Sequence, residues 1–328
     1  MDKKQYASCI GGLICLLILI LDGKTALLGA QQGIELCAKT VIPSLFPFFF
    51  VSGILNNSFS YVSSRFLDPV RRLCAVPKGA EGMLVTGFLG GYPVGAQAVG
   101  KAYADKRLHS RDAVHLIAFC SNAGPAFLFG MLSGIFEKKT AVFSLWGIHI
   151  FSAILVAAIL PGGPCRELSN AEKNQRASVS GIMHTAVGTM AAVCGWVILF
   201  RVVITFLNRW FLYALPETVR ILAVGILELT NGCCELSCIP QEALRFVLCS
   251  GFLAFGGICV MMQTASVISG LPLRHYLAGK LMQTLFSLLL SSAVVLHIGT
   301  PVFLFLVLFA VLVGKKQKRS GNPMVVGV

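Results

Sequence analysis

The chain has 328 residues, 56% of them hydrophobic and only 12% charged, and a mean hydropathy of +0.79. A soluble domain of this size carries about twice that charge, which excludes a water-soluble globular fold. The net charge of +13 is scattered through short loops and a tail, which excludes a nucleic-acid surface and fits the basic loops of a polytopic membrane protein.

Lys3 and Lys4 precede an apolar run from Tyr6 to Leu21. Leu28 stands where a cleavable leader needs a small residue, and Asp22 follows the run directly, so residues 1–24 read as an uncleaved first transmembrane helix. Thr25 to Lys39 is helical in pattern but too polar to span. It leads into Val41 to Leu55, where Pro43 and Pro47 predict a bend at the entry. Arg65, Arg71, Arg72 and Lys78 mark a loop. Met83 to Tyr103 reads as a broken helix, interrupted at Gly87-Phe88-Leu89-Gly90-Gly91-Tyr92-Pro93-Val94-Gly95. Ala113 to Phe136 reads as a re-entrant hairpin with its tip at Ser121-Asn122-Ala123-Gly124-Pro125. Thr140 to Leu160 spans. Residues 161–179, the longest polar connection, divide membrane repeat A (25–160) from membrane repeat B (180–298).

Repeat B follows the same plan. Gly181 to Phe206 spans. Thr218 to Cys234 is a second broken helix, around Gly225 to Gly232. Glu242 to Ser269 is a second hairpin, around Leu248-Cys249-Ser250-Gly251-Phe252, and Tyr276 to Ile298 spans. Val302 to Gly314 is the last span, and Lys315, Lys316, Lys318 and Arg319 anchor the tail within 299–328. A hairpin adds no net crossing, so each half crosses an odd number of times and the second enters from the opposite side. The expected fold is an all-α polytopic membrane protein of two inverted repeats, each with a broken helix and a re-entrant hairpin, with about eight crossings. The Lys/Arg bias places both termini in the cytoplasm.

Interrupted backbone at membrane depth survives only where protein buries it or it lines a cavity, so the breaks predict a transport site. The candidate ligand contacts are Tyr92 and Gln97 on the first broken helix, Ser121, Asn122 and Gly124 at the first tip, Thr230 and Asn231 beside the second break, and Ser250 and Gly251 at the second tip. Each could instead serve helix–helix hydrogen bonding. Glu228 is the sharpest residue, an acid inside an apolar segment. It is expected to bind a coupling cation or accept a proton, against the alternative of a structural pair with Arg201 or Arg220. Cys233, Cys234 and Cys238 cluster without a CxxC pair or a nearby histidine, so no metal is expected. No H-E-x-x-H, G-x-S-x-G or G-x-x-x-x-G-K-[ST] is present, so neither an enzyme nor a cofactor is expected.

Pro43-Ser44-Leu45-Phe46-Pro47-Phe48-Phe49, the run Gly87 to Gly95 and Phe119-Cys120-Ser121-Asn122-Ala123-Gly124-Pro125 resemble the sporulation integral membrane proteins of the YlbJ type. That family carries the nucleoside-recognition, or Gate, domain. Leu248 to Phe252 is similar to the second hairpin of concentrative nucleoside transporters, whose tips hold ligand and coupling ion. At the first hairpin this chain has Ser121-Asn122-Ala123 in place of their Gln-Thr-Glu. The resemblance implies work in the membranes of a developing spore on a small carboxylated solute such as dipicolinate. The leading expectation is a secondary transporter for a small polar or anionic solute, coupled to H⁺ or Na⁺, embedded in the lipid bilayer and open to homo-oligomer formation. The alternative is a non-transporting membrane scaffold or assembly factor needed for spore development.

Overall fold

The computed structural model describes residues 3–59, 67–162, 168, 178–268 and 270–320, with side chains for all of these except 3–4, 56–59, 310 and 312–320. Arg65, most of the connection 161–179, Ser269 and the side chains of the basic tail lie outside the described residues. Among the described residues every regular element is helical.

Helix α1 (Lys3–Leu21) ends at Asp22, whose carboxylate accepts from the Thr25 N–H at 3.3 Å and starts α2 (Gly23–Leu36). The helix is continuous through the expected entry bend. A π-helical turn at Cys37–Val41 carries α2 into α3 (Ile42–Phe59), so that Gly23–Leu55 forms one apolar rod of 33 residues. The π turn lies just before Pro43, and the helix continues past Pro47. Residues that looked too polar to span have partners. Gln32 accepts from Arg201 at 2.9 Å and Thr25 accepts from Arg209 at 3.0 Å. Gly29 and Gly33 let this rod lie close against α10 (Val179–Trp210), since a Cβ on either would stand 2.8 Å from the backbone of Val202 or Ile198.

After the short α4 (Asp68–Leu73), α5 (Glu81–Leu89) and α6 (Val94–Ala104) double back on each other. Gly87 and Gly95 would be about 12 Å apart along a continuous helix. Instead a Cβ on Gly95 would fall 2.7 Å from the Gly87 Cα. The second half repeats this: α11 (Glu217–Leu227) and α12 (Leu229–Glu235) fold together at the single extended residue Glu228. A Cβ on Gly232 would fall 2.3 Å from the Gly225 Cα. These are the hairpins.

The segments expected to be hairpins are the broken helices. α7 (Ser110–Phe119) and α8 (Pro125–Met131) are parted by the non-helical stretch 120–124, and α13 (Glu242–Phe255) and α14 (Gly257–Val267) by Gly256 at φ +80°. The arms separate instead of lying side by side. α7 packs on α6, α9 (Lys139–Ile159) and α15 (Leu273–Val295), whereas α8 packs on α3 and α9. Likewise α13 packs on α15 and α9, and α14 on α10, α11 and α6. Hairpin and broken helix therefore exchange places in both halves. A reversal and an interruption ask for the same Gly/Pro signals, and only the partner surfaces tell them apart.

The two long rods α2–α3 and α10 pack together, as do α9 and α15. The last helix, α16 (Gly299–Ser320), leans on α9 and α15. Among the described residues five stretches are long and apolar enough to cross a membrane, with Gln5–Leu21, Pro125–Gly134 and Gly299–Phe309 as shorter apolar helices. The chain is an all-α polytopic membrane protein, with exposed apolar side chains along α1, α10 and α15 where lipid would lie.

Close backbone contact at glycine sets the packing. A Cβ at Gly95 would stand 1.8 Å from the Cys120 carbonyl oxygen, and one at Gly279 2.0 Å from that of Ala118. Gly95→Ala and Gly279→Ala should each cost about 1–3 kcal/mol or more and lower the melting temperature of detergent-purified protein. Gly147→Ala and Gly188→Ala, with open space around the new methyl, should leave it unchanged.

Candidate functional site

The turns of the doubled-back pairs meet the breaks of the interrupted helices at the centre of the molecule. Gly91, at φ +82°, lets the first turn pass against Gly124, where a Cβ would come within 2.9 Å of the Gly91 nitrogen. Gly257 lies against the hinge at Glu228 in the same way, where a Cβ would stand 3.2 Å from the Leu227 oxygen and the Leu229 nitrogen. Gly256 lies against the ring of Tyr92, joining the second break to the first turn. Between them is a cavity of about 30 Å³. The first half contributes Tyr92, Ala123, Gly124 and Phe127, the second Glu228, Leu229, Thr230, Val260 and Gln263, and the rods Val41, Leu45, Val193 and Val197. It has room for a water or two and none for a solute.

Glu228 is buried at the cavity wall and caps α12. Its Oε1 accepts from the Thr230 N–H at 3.0 Å, and its Oε2 from the Asn231 N–H at 2.7 Å and from Asn231 Nδ2 at 2.6 Å. Asn231 Oδ1 in turn accepts from Arg201 at 2.8 Å, and Arg201 stands 4.0 Å from Glu235. Arg201 thus reaches Glu228 through Asn231 and not as a direct ion pair. Arg220 pairs with Glu235 at 2.7 Å, at the open end of the same hairpin.

On the opposite wall the central residue is one the sequence reading left unassigned. Lys280, in the middle of α15, is fully buried. Its Nζ donates to Tyr92 Oη at 2.9 Å and to Gln283 Oε1 at 2.6 Å. Among the described residues no carboxylate lies within ion-pair distance of it. Gln283 Nε2 donates to Asn122 Oδ1 at 3.0 Å and to the His149 carbonyl at 3.2 Å. His149 Nε2 accepts from the Ala123 N–H at 3.0 Å. A buried polar network thus ties α9 and α15 to the first break, and Tyr92 presents it to the cavity. Lysine at the centre of an apolar span was the available signal.

The predicted contacts divide. Tyr92, Gly124, Glu228 and Thr230 line the cavity together. Asn122 lies behind it: its Nδ2 donates to the Phe119 carbonyl at 2.7 Å and the Gly87 carbonyl at 3.3 Å, and its oxygen serves Gln283. Ser121 faces Thr264 and Tyr276, three buried hydroxyls gathered without a closed hydrogen bond. Asn231 holds Glu228. Gln97 turns to α10, accepting from the Thr189 hydroxyl at 3.4 Å. Ser250 and Gly251 are not at a tip. Ser250 bonds the Ser287 hydroxyl at 2.9 Å, and Gly251 packs against Leu288, where a Cβ would stand 3.0 Å from its side chain, both gluing α13 to α15. The second break lies further on, at Gly256 and Gly257, because only glycine meets the positive φ there without strain. Gln263 at the cavity and Lys280 behind it complete the set that the sequence reading missed.

Asn122→Ala should leave buried partners unmet and lower stability by about 1–3 kcal/mol, read as a drop in melting temperature. Gln97→Ala, which loses one long bond, should shift it by well under half as much.

No protein-family model and no solved structure matches the chain. Over 292 residues it is 24% identical to the sporulation integral membrane protein YlbJ of Bacillus subtilis (strain 168), an alignment covering 75% of this chain and 71% of that protein. With its polytopic helical fold and this similarity along most of its length, the chain is an integral membrane protein similar to the YlbJ type that its motifs resemble.

Proposed function

We propose that the protein is a secondary transporter for a small polar or anionic solute, working by alternating access, with the two halves related as inverted repeats. One observation carries the reading. A small central cavity is bounded by helix breaks from both halves, with Glu228 on one wall and Lys280, without an ion-pair partner among the described residues, behind Tyr92 on the other. Removing an ammonium from water without a counter-ion costs several kcal/mol, and a solute carboxylate or phosphate would supply that counter-ion. The phenol of Tyr92 is the group through which an anion would first meet Lys280. Glu228, facing the same space, would then favour a solute that arrives with a proton or a Na⁺.

The cavity is too small for such a solute, so it must widen before one can bind. Entry requires one break to part from the opposing turn, at Gly256 against Tyr92 or at Gly124 against Gly91. The name of the relative adds sporulation as the setting, and a forespore-surrounding membrane as a location, with both termini cytoplasmic by the distribution of Lys and Arg. No bond-making chemistry, metal or cofactor enters this reading.

Thermal-shift screening of the purified protein with nucleosides and pyridine dicarboxylates should find a stabilising solute, and that solute should enter proteoliposomes. Lys280→Met and Tyr92→Phe should cut uptake about tenfold or more, the loss of a charge-assisted hydrogen bond. Ser250→Ala, away from the cavity, should transport normally. A protein that binds and moves none of these solutes would leave the scaffold role standing.

A further inference from the structure

Tyr92 has a single hydroxyl proton, and its position depends on the charge of Lys280. Lys280 Nζ donates to Tyr92 Oη at 2.9 Å, and Tyr92 Oη donates to the Leu253 carbonyl at 3.1 Å. An ammonium has three N–H groups and no lone pair, so the phenol must accept from it and its own proton is free for Leu253. Leu253 lies in the last turn of α13, where carbonyls lack helical partners, three residues before the break at Gly256. The bond therefore joins the first turn to the second break, across the two halves. A neutral amine would carry a lone pair at the same place. Buried and otherwise unmet, that lone pair would compete for the one phenolic proton.

We propose that Lys280 is a proton-binding site that latches the halves: while it holds the proton, Tyr92 grips Leu253, and when the proton leaves, the Tyr92 hydroxyl turns to Nζ and the Leu253 carbonyl is released. The surroundings do not fix its charge. Tyr92 faces it from the first turn, with the ring centroid 4.9 Å from Nζ, Cys120 from the end of α7, and His149 from α9. The preceding turn of α15 adds Tyr276. On α13, Arg245 turns to the Ile135 carbonyl and Cys249 to Cys233, and Glu242 is exposed. The described side chains of α16 carry no charge. The latch does not depend on transport, since a scaffold could use it as well, and its test reads no flux.

Hydrogen–deuterium exchange of the full chain in detergent, at pH 6 and pH 9 and corrected for intrinsic amide rates, tests it on peptides spanning 253–258. Wild type should lose about fivefold protection at the higher pH, the worth of one hydrogen bond. Lys280→Arg, charged throughout, and Lys280→Met, without a lone pair, should both stay protected with no pH step. Tyr92→Phe should be unprotected at both. A wild type without the step, the same step surviving in either Lys280 variant, or a protected Tyr92→Phe would overturn the proposal. If Lys280→Met does not fold, Lys280→Arg decides alone.

Discussion

Backbone N–H and C=O groups freed at a helix break have no water to turn to inside a bilayer. This chain breaks in four places and brings them to one spot. The first turn rests on the first interrupted helix through Gly91 and Gly124, and the hinge at Glu228 rests on the second through Gly257. Side chains cover what backbone cannot. Glu228 takes the exposed N–H groups of α12, His149 takes that of Ala123, and Tyr92 takes the Leu253 carbonyl. The long rods and the α9–α15 pair then serve as a frame around a centre that cannot be built from regular helix.

Glycine makes this possible by letting backbone approach backbone. Gly87 and Gly95 meet the Cys120 carbonyl, and Gly225 and Gly232 meet the ring of Phe252. The two contacts occupy matching places in the two halves with different chemistry: a carbonyl in one, an aromatic face in the other. The open ends of the hairpins are pinned by charge, with Arg71 3.5 Å from the buried Glu81 and Arg220 2.7 Å from Glu235. The two walls of the cavity then differ in chemistry: the Glu228 carboxyl on one, the Lys280 amine behind Tyr92 on the other, each held by neutral amides and hydroxyls and not by the other.

Much of this was legible in the residues. Composition and apolar runs identify a membrane protein because the cost of burying charge in lipid leaves so few alternatives. The places of the breaks near Gly91 and Glu228, though not which of them reverse the chain, follow from glycine, proline and a lone acid inside apolar segments. Residues chosen by type alone fared unevenly. Tyr92, Gly124, Glu228 and Thr230 reach the cavity, whereas Ser250 and Gln97 turn out to bond neighbouring helices. Small polar residues serve both purposes, and nothing local separates them.

What the sequence determined by itself is the solvent and the places of interruption, because both are set by local chemistry: hydropathy over about 20 residues, and the φ range of glycine and proline. Only the tertiary structure decided which interruptions reverse the chain and which merely part it, because that depends on whether an arm finds its own partner or another helix. It also decided that Lys280 is the second central ionisable group. A lysine in a span can snorkel to the surface or turn inward, and the choice here rests on Tyr92 and Gln283, one of them brought from the other half of the chain.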